Sequence, residues 1–181
     1  GGPLLAPLTA EEWGDDEYAA FGALMGLPGD KVPRAGSGHA ADPLKFDVIG
    51  LLARHPKMAQ RFLSFNGWLL QRGELPLRLR ELAILRVAHS RRSAVFWGEH
   101  VKVAGDGGVS AGDIERLAAG NAGFDGADLV VLRATDELLN HGRVEPSTWR
   151  QLTDTLGTHQ AMELIFVVGP YSELAMAFDS W

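Results

Sequence analysis

Apolar side chains recur at three- and four-residue spacing along almost the whole chain, and no stretch alternates apolar with polar residues between turn signals. That is the periodicity of helices rather than strands, so the chain reads as all-α, without internal repeats. Thr9 with Glu12 forms a capping box for a first helix to about Leu24. The Gly-, Pro- and Ser-rich stretch at 26–42 follows as a long loop, of the kind that serves as a lid or is simply mobile. Asp42 and Pro43 supply the cap and first turn of a helix to His55, and Pro56 opens another that Gly73 stops after Arg72. Two core helices follow, over 76–92 and from Ser93 onward. Ser110 with Asp113 caps a short helix to Ala118, and residues 125–141 make the next, ended by Gly142. Pro146 starts one that stops at Gly157, and Thr158 begins the last, which Pro170 is expected to kink or split. A single domain over 1–181 is expected, with residues 1–42 as an N-terminal extension of one helix and the long loop.

The two core helices carry the chemistry. The segment 76–92 is apolar on most of its circumference, through Leu77, Leu79, Leu82, Ala83, Ile84, Leu85, Val87 and Ala88, as a buried helix is. Glu81 therefore has apolar neighbours, and its carboxyl persists there only if hydrogen-bonded, paired or neutralised. From Ser93 onward, successive residues advance by about 100°, so Ser93, Phe96, Trp97, His100 and Ala104 share one face while Glu99 and Lys102 point away. Antiparallel packing of the two helices brings His100 within reach of Glu81. The rival reading gives Glu81 a structural salt bridge to Arg78 or Arg86.

Composition narrows the possibilities. With 181 residues and 46% hydrophobic content, the chain can bury about 70% of its unfolded surface without a metal or crosslink. Cysteine is absent, which excludes disulfides, thiolate metal sites and thiol peroxidase chemistry. A formal charge of −6 without a basic stripe argues against nucleic acid as a partner. The apolar run around 165–168 falls short of a bilayer span, so no membrane partner is expected. Gly1-Gly2-Pro3 has neither the charged nor the apolar region of a signal peptide, which makes the cytoplasm the expected location. The missing initiator Met points to processing or a tag remnant.

Other motifs have plainer explanations. Gly108-Val109-Ser110-Ala111-Gly112 spells the nucleophile elbow G-x-S-x-G, but a helix precedes it where that motif needs a strand, so Ser110 reads as a helix N-cap. Gly105-Asp106-Gly107-Gly108 lacks the phosphate-loop Lys and reads as a helix stop. His39, His55, His141 and His159 stand singly near helix ends or in loops, exposed or capping, and no metal site is expected. His89, two turns beyond Glu81, is a candidate for the same cavity. Trp97 and Phe96 are core residues or the stacking wall of a planar substrate. Ser93 is a hydrogen-bond donor to a ligand or the N-cap of its helix.

These residues resemble the carboxymuconolactone decarboxylase and alkylhydroperoxidase D-like superfamily. In its peroxidase branch a Glu is followed by Cys, Cys and His in a register that here reads Glu81, Ser93, Phe96 and His100. The decarboxylase-like branch is matched by Arg80-Glu81-Leu82, Phe96-Trp97, His100 and Gly108-Val109-Ser110, with Val95 and Phe96 in place of its usual Tyr and Glu. The resemblance is densest over 62–117, weaker on to 136–138 and 164–177, and absent from the first forty residues. It implies an alkylhydroperoxidase D-like helical domain and a cofactor-independent lyase. In that enzyme His100 is the general acid/base, Glu81 orients it, and Ser93, Phe96, Trp97 and His89 line the site for a small organic acid or lactone. It also implies a homo-oligomer, a trimer or hexamer. The alternative is a non-catalytic oligomeric member that keeps the small-molecule pocket and has lost the chemistry.

Overall fold

The computed structural model describes residues 4–120 and 123–181. Gly1–Pro3, on which the signal-peptide expectation rests, lie outside the described residues. Nine α-helices and no strand are present among the described residues: α1 Asp15–Met25, α2 Asp47–Leu52, α3 Pro56–Arg72, α4 Leu77–Arg91, α5 Ala94–Ala104, α6 Ala111–Ala119, α7 Gly126–His141, α8 Pro146–Leu156 and α9 Thr158–Ser180. The protein is all-α.

The chain divides into two compact units, one of residues 1–72 with 180–181 and one of residues 73–179. The division falls between Arg72 and Gly73, so α2 and α3 group with the N-terminal segment that the sequence reading treats as an extension.

In the first unit, α1 packs on α3. Their backbones come so close that a Cβ at Gly67 would collide with the Leu24 carbonyl oxygen. The first helix starts later than expected: Thr9 and Glu12 bracket only a 3-10 turn, and Trp13 and Gly14 are extended before Asp15. Asp15, Asp16 and Glu17 then crowd the first turn of α1, where the helix dipole favours negative charge. Asp42 caps a 3-10 turn at Pro43–Lys45 rather than a long helix, because Phe46 leaves helical geometry before α2. The Asp42 carboxylate also accepts hydrogen bonds from the amides of Gly36, Gly38 and Leu44, clasping the end of the 26–42 loop.

The second unit is built around α4, which packs against α5, α6 and α7. Leu82, Ala83, Ile84 and Leu85 are fully buried, as a helix apolar on most sides requires. Arg78 ties the surrounding elements together. Its guanidinium donates to Asp128 of α7 at 2.7 Å, to Asp113 of α6 at 3.2 Å, and to the Gly108 carbonyl between α5 and α6. Arg86 pairs with Asp136 of α7 at 2.5 Å. Both arginines named as rivals for Glu81 are thus committed elsewhere.

The last helix runs unbroken through Pro170. It buries Ala161, Leu164, Val168, Tyr171 and Leu174, and its polar groups anchor it to α4 and the segment before it. Glu163 accepts from the Leu75 amide, and Arg91 Nε donates to Ser172 Oγ at 2.9 Å. By length and composition α9 could cross a bilayer, contrary to the reading of its short apolar run, with a mean hydropathy of 1.3 and 44% of that window buried in the protein. A core helix meets the same test.

Candidate functional site

Ser93 follows the left-handed Arg92 and turns the chain between α4 and α5, which pack together. Glu81 on α4 and His100 on α5 meet there: His100 Nδ1 lies 2.7 Å from Glu81 Oε2, within strong hydrogen-bond range. Glu81 is 1% exposed at its side chain and His100 14%, so the contact is almost dry on one side and reachable on the other. The second carboxyl oxygen, Oε1, lies 3.5 Å from Arg80 Nε. A buried carboxylate needs such partners, and here it has a cation on one oxygen and an imidazole on the other. With the carboxyl ionised, Glu81 can only accept, and the tautomer that then completes the contact carries its hydrogen on Nδ1 and leaves Nε2 to exchange protons.

Aromatic rings wall this pair. Tyr171 stands edge-on to the His100 ring at 5.0 Å and 86°, and Phe96 packs edge-on to Tyr171 at 5.7 Å. Phe178 lies 5.4 Å from Phe96. Tyr171 and Phe178 escape the sequence reading because they come from α9, about seventy residues further along the chain. Their seven-residue spacing, which puts them on one helix face, is the one signal that marks them together.

The other expected site residues gather in a different place. His89, Ser93 and Trp97, with Arg92 and Ala118, line an open recess of about 390 Å³ that includes neither Glu81 nor His100. His89 lies two helical turns past Glu81, roughly 12 Å along the axis, and is exposed with its ring 5.9 Å from Trp97. It does not join the Glu81 pair. Phe96 is buried against Tyr171 and Phe178, while Trp97 is half-buried beside the recess. Ser93 occupies the N-cap position of α5, but its side chain makes no capping hydrogen bond.

The remaining candidates resolve simply. Ser110 caps α6, accepting from the Asp113 amide while the Asp113 carboxylate accepts from the Ser110 amide. His39, His55, His141 and His159 are all exposed. Among the described residues no group of three or more His, Asp or Glu side chains is placed to hold a metal ion.

Comparison with known proteins bears on this geometry. Residues 56–137 match the profile of the Carboxymuconolactone decarboxylase family. This segment is similar to that family. It contains both members of the Glu81–His100 pair and the whole α4–α5 turn, and it reaches from the start of α3 into α7. No curated protein and no solved structure matches the chain.

Proposed function

We propose that the protein is a cofactor-independent lyase that uses His100 as general acid/base on a small organic acid or lactone. The observation that carries this reading is the 2.7 Å contact between His100 Nδ1 and a Glu81 carboxylate that is 1% exposed. In a decarboxylation the bond to the carboxylate carbon breaks, carbon dioxide leaves, and the electron pair stays on the substrate as an enolate. His100 Nε2 then delivers a proton to the carbon and recovers one from solvent. Glu81 holds the ring in place and stabilises the imidazolium form, and the Arg80 guanidinium keeps the carboxylate compensated while the ring is neutral. A positioned imidazole is suited to this exchange near neutral pH. The family segment at 56–137 supports lyase chemistry on this class of substrate.

The protein is further proposed to be a cytoplasmic homo-oligomer, a trimer or hexamer, without nucleic-acid or membrane partners. Val95 and Val103 on α5 and Met162 on α9 support the assembly, since they are 51%, 42% and 50% exposed.

The test is incubation with carboxymuconolactone and other small lactone carboxylates in deuterium oxide, followed by proton NMR. Deuterium entering the carbon that loses its carboxylate, above the rate without protein, is the expected result. Absence of both carbon dioxide release and exchange across the panel, from a folded protein, would count against the reading.

A further inference from the structure

We propose that the recess at the α4–α5 junction is a binding site for a small planar carboxylate, separate from the Glu81–His100 pair. Ser93 points to a ligand. It is 3% exposed and lines the recess, its side chain does not cap α5, and none of the described residues hydrogen-bonds its hydroxyl. Its oxygen is not among the buried side-chain atoms left without a partner, so the hydroxyl opens onto the recess, where it can donate to a bound acceptor.

The surroundings favour an anion. The first amides of α5, an eleven-residue helix, have no intrahelical acceptor and no side-chain cap, and the helix dipole places positive charge at that end. Arg92, on the rim, is exposed and forms no ion pair with any described residue. Its neighbour Arg91 is turned away to Ser172, and the nearby acid on α5, Glu99, is paired with Lys102 at 3.1 Å. Positive charge at the recess is therefore not cancelled from within α5.

The walls favour a planar body. Trp97 and His89 present two rings to the recess, and Ala94 and Ala118 leave the remaining sides small and apolar. A volume of about 390 Å³ accepts a single ring with its substituent. A carboxylate matches the guanidinium fork with two oxygens in one plane, whereas an inorganic anion would leave the rings unused. Nothing in this assignment depends on proton transfer at His100, which lies seven residues and roughly 10 Å further along α5.

The experiment is calorimetric titration of the full chain with sodium benzoate, benzamide and inorganic phosphate, in the wild type and in Arg92→Gly, Ser93→Ala and His100→Ala. Arg92 sits at φ 57°, a left-handed conformation that glycine adopts without strain, so Arg92→Gly should fold at least as well as the wild type. Benzoate should bind saturably at millimolar concentration or below, with benzamide and phosphate each at least about tenfold weaker. Arg92→Gly should weaken benzoate roughly tenfold or more and Ser93→Ala about fivefold, on the scale of a lost charged or neutral hydrogen bond. His100→Ala should bind as the wild type does, whether or not any turnover exists. Absence of saturable benzoate binding, unchanged affinity in both recess variants, or phosphate binding as tightly as benzoate would overturn the proposal.

Discussion

A carboxylate on a helix apolar nearly all round is the most informative single residue in this chain, because its position demands a partner before any fold is known. Glu81 finds two, Arg80 at 3.5 Å and His100 at 2.7 Å. The helical register of α5 made the His100 contact legible, since it placed His100 on the inward face two turns from Ser93. What register alone left hidden was the split of that face. Phe96 joins the rings around His100, while Ser93 and Trp97 open onto the separate recess, a distinction that depends on Tyr171 and Phe178 of α9 meeting Phe96 and on Ala118 of α6 lining the recess. If His100 exchanges the proton, His100→Ala should lower kcat roughly 10²-fold or more with the melting curve unchanged. Glu81→Gln should do less damage, because it keeps the shape and one hydrogen bond to Nδ1. Full activity in the His100→Ala protein would remove the role assigned to it. The positions that carry sulfur in the peroxidase branch are Ser93 and Phe96, and the chain has no cysteine. Thiol-supported peroxide consumption is therefore expected to stay at the level of a blank, since methionine thioethers cannot cycle through a sulfenic acid and disulfide.

At the scale of elements, caps and prolines marked most helix boundaries: Pro56, Ser110, Gly142, Pro146 and Gly157 all stand where a helix starts or stops. The boundaries that depart from the pattern have competing local signals. Thr9 and Glu12 suggested one start, but the acidic run 15–17 behind Gly14 is the stronger one, and α1 begins there. Pro170 suggested a break, yet α9 continues, because burial of Tyr171, Leu174 and Ala175 just beyond it outweighs a local cost of about 3 kcal/mol. The Arg78 cluster, which joins α4, α6 and α7, could not be read from spacing, because its acids lie 35 and 50 residues away. Asp113 is its pivot. Burial alone would raise this carboxyl, but the Ser110 amide and hydroxyl and the Arg78 and Arg116 guanidinia outweigh burial and hold it far below the ordinary range. The folded state thus binds a proton less readily than the unfolded chain, and the resulting stability is complete above about pH 4, the unfolded value, and is lost as the pH falls further. Asp113→Asn should lower stability at pH 7 by about 2–4 kcal/mol, because it leaves Arg78 and Arg116 short of a charged partner. Urea midpoints measured from pH 7 to pH 2.5 check this. The gap between the wild type and the variant should narrow as the pH falls from 4 toward 2.5, and parallel curves would show that the Asp113 charge contributes nothing.

The division of the whole molecule into two compact units at Arg72–Gly73 has no compositional marker, since Gly73 reads equally well as a simple helix stop, and only the packing of α1 on α3 reveals it. Surface character is likewise a property of the packed molecule rather than of the sequence. The segment 164–177 reads as apolar on nearly every side; Leu164, Val168, Tyr171 and Leu174 are buried within the chain, Phe166 and Met176 of the same segment are about half exposed, and the uncovered apolar surface of the second unit also includes side chains outside it. Met162 on α9 and Val95 and Val103 on α5 are 50%, 51% and 42% exposed. A net charge of −6 opposes close approach of copies, though screening at physiological salt confines that repulsion to about 8 Å, so buried apolar contacts can outweigh it. Sedimentation equilibrium at micromolar concentration is therefore expected to give a mass that is a multiple of 19.5 kDa. Met162→Glu together with Val95→Glu should shift the distribution toward the single chain without changing helical content, because an unpaired carboxylate is costly in an interface core and harmless in solvent. A wild-type protein sedimenting as a 19.5 kDa species would show that these side chains face water in the working molecule. An assembly unaffected by the double substitution would place the interface on another face of the chain.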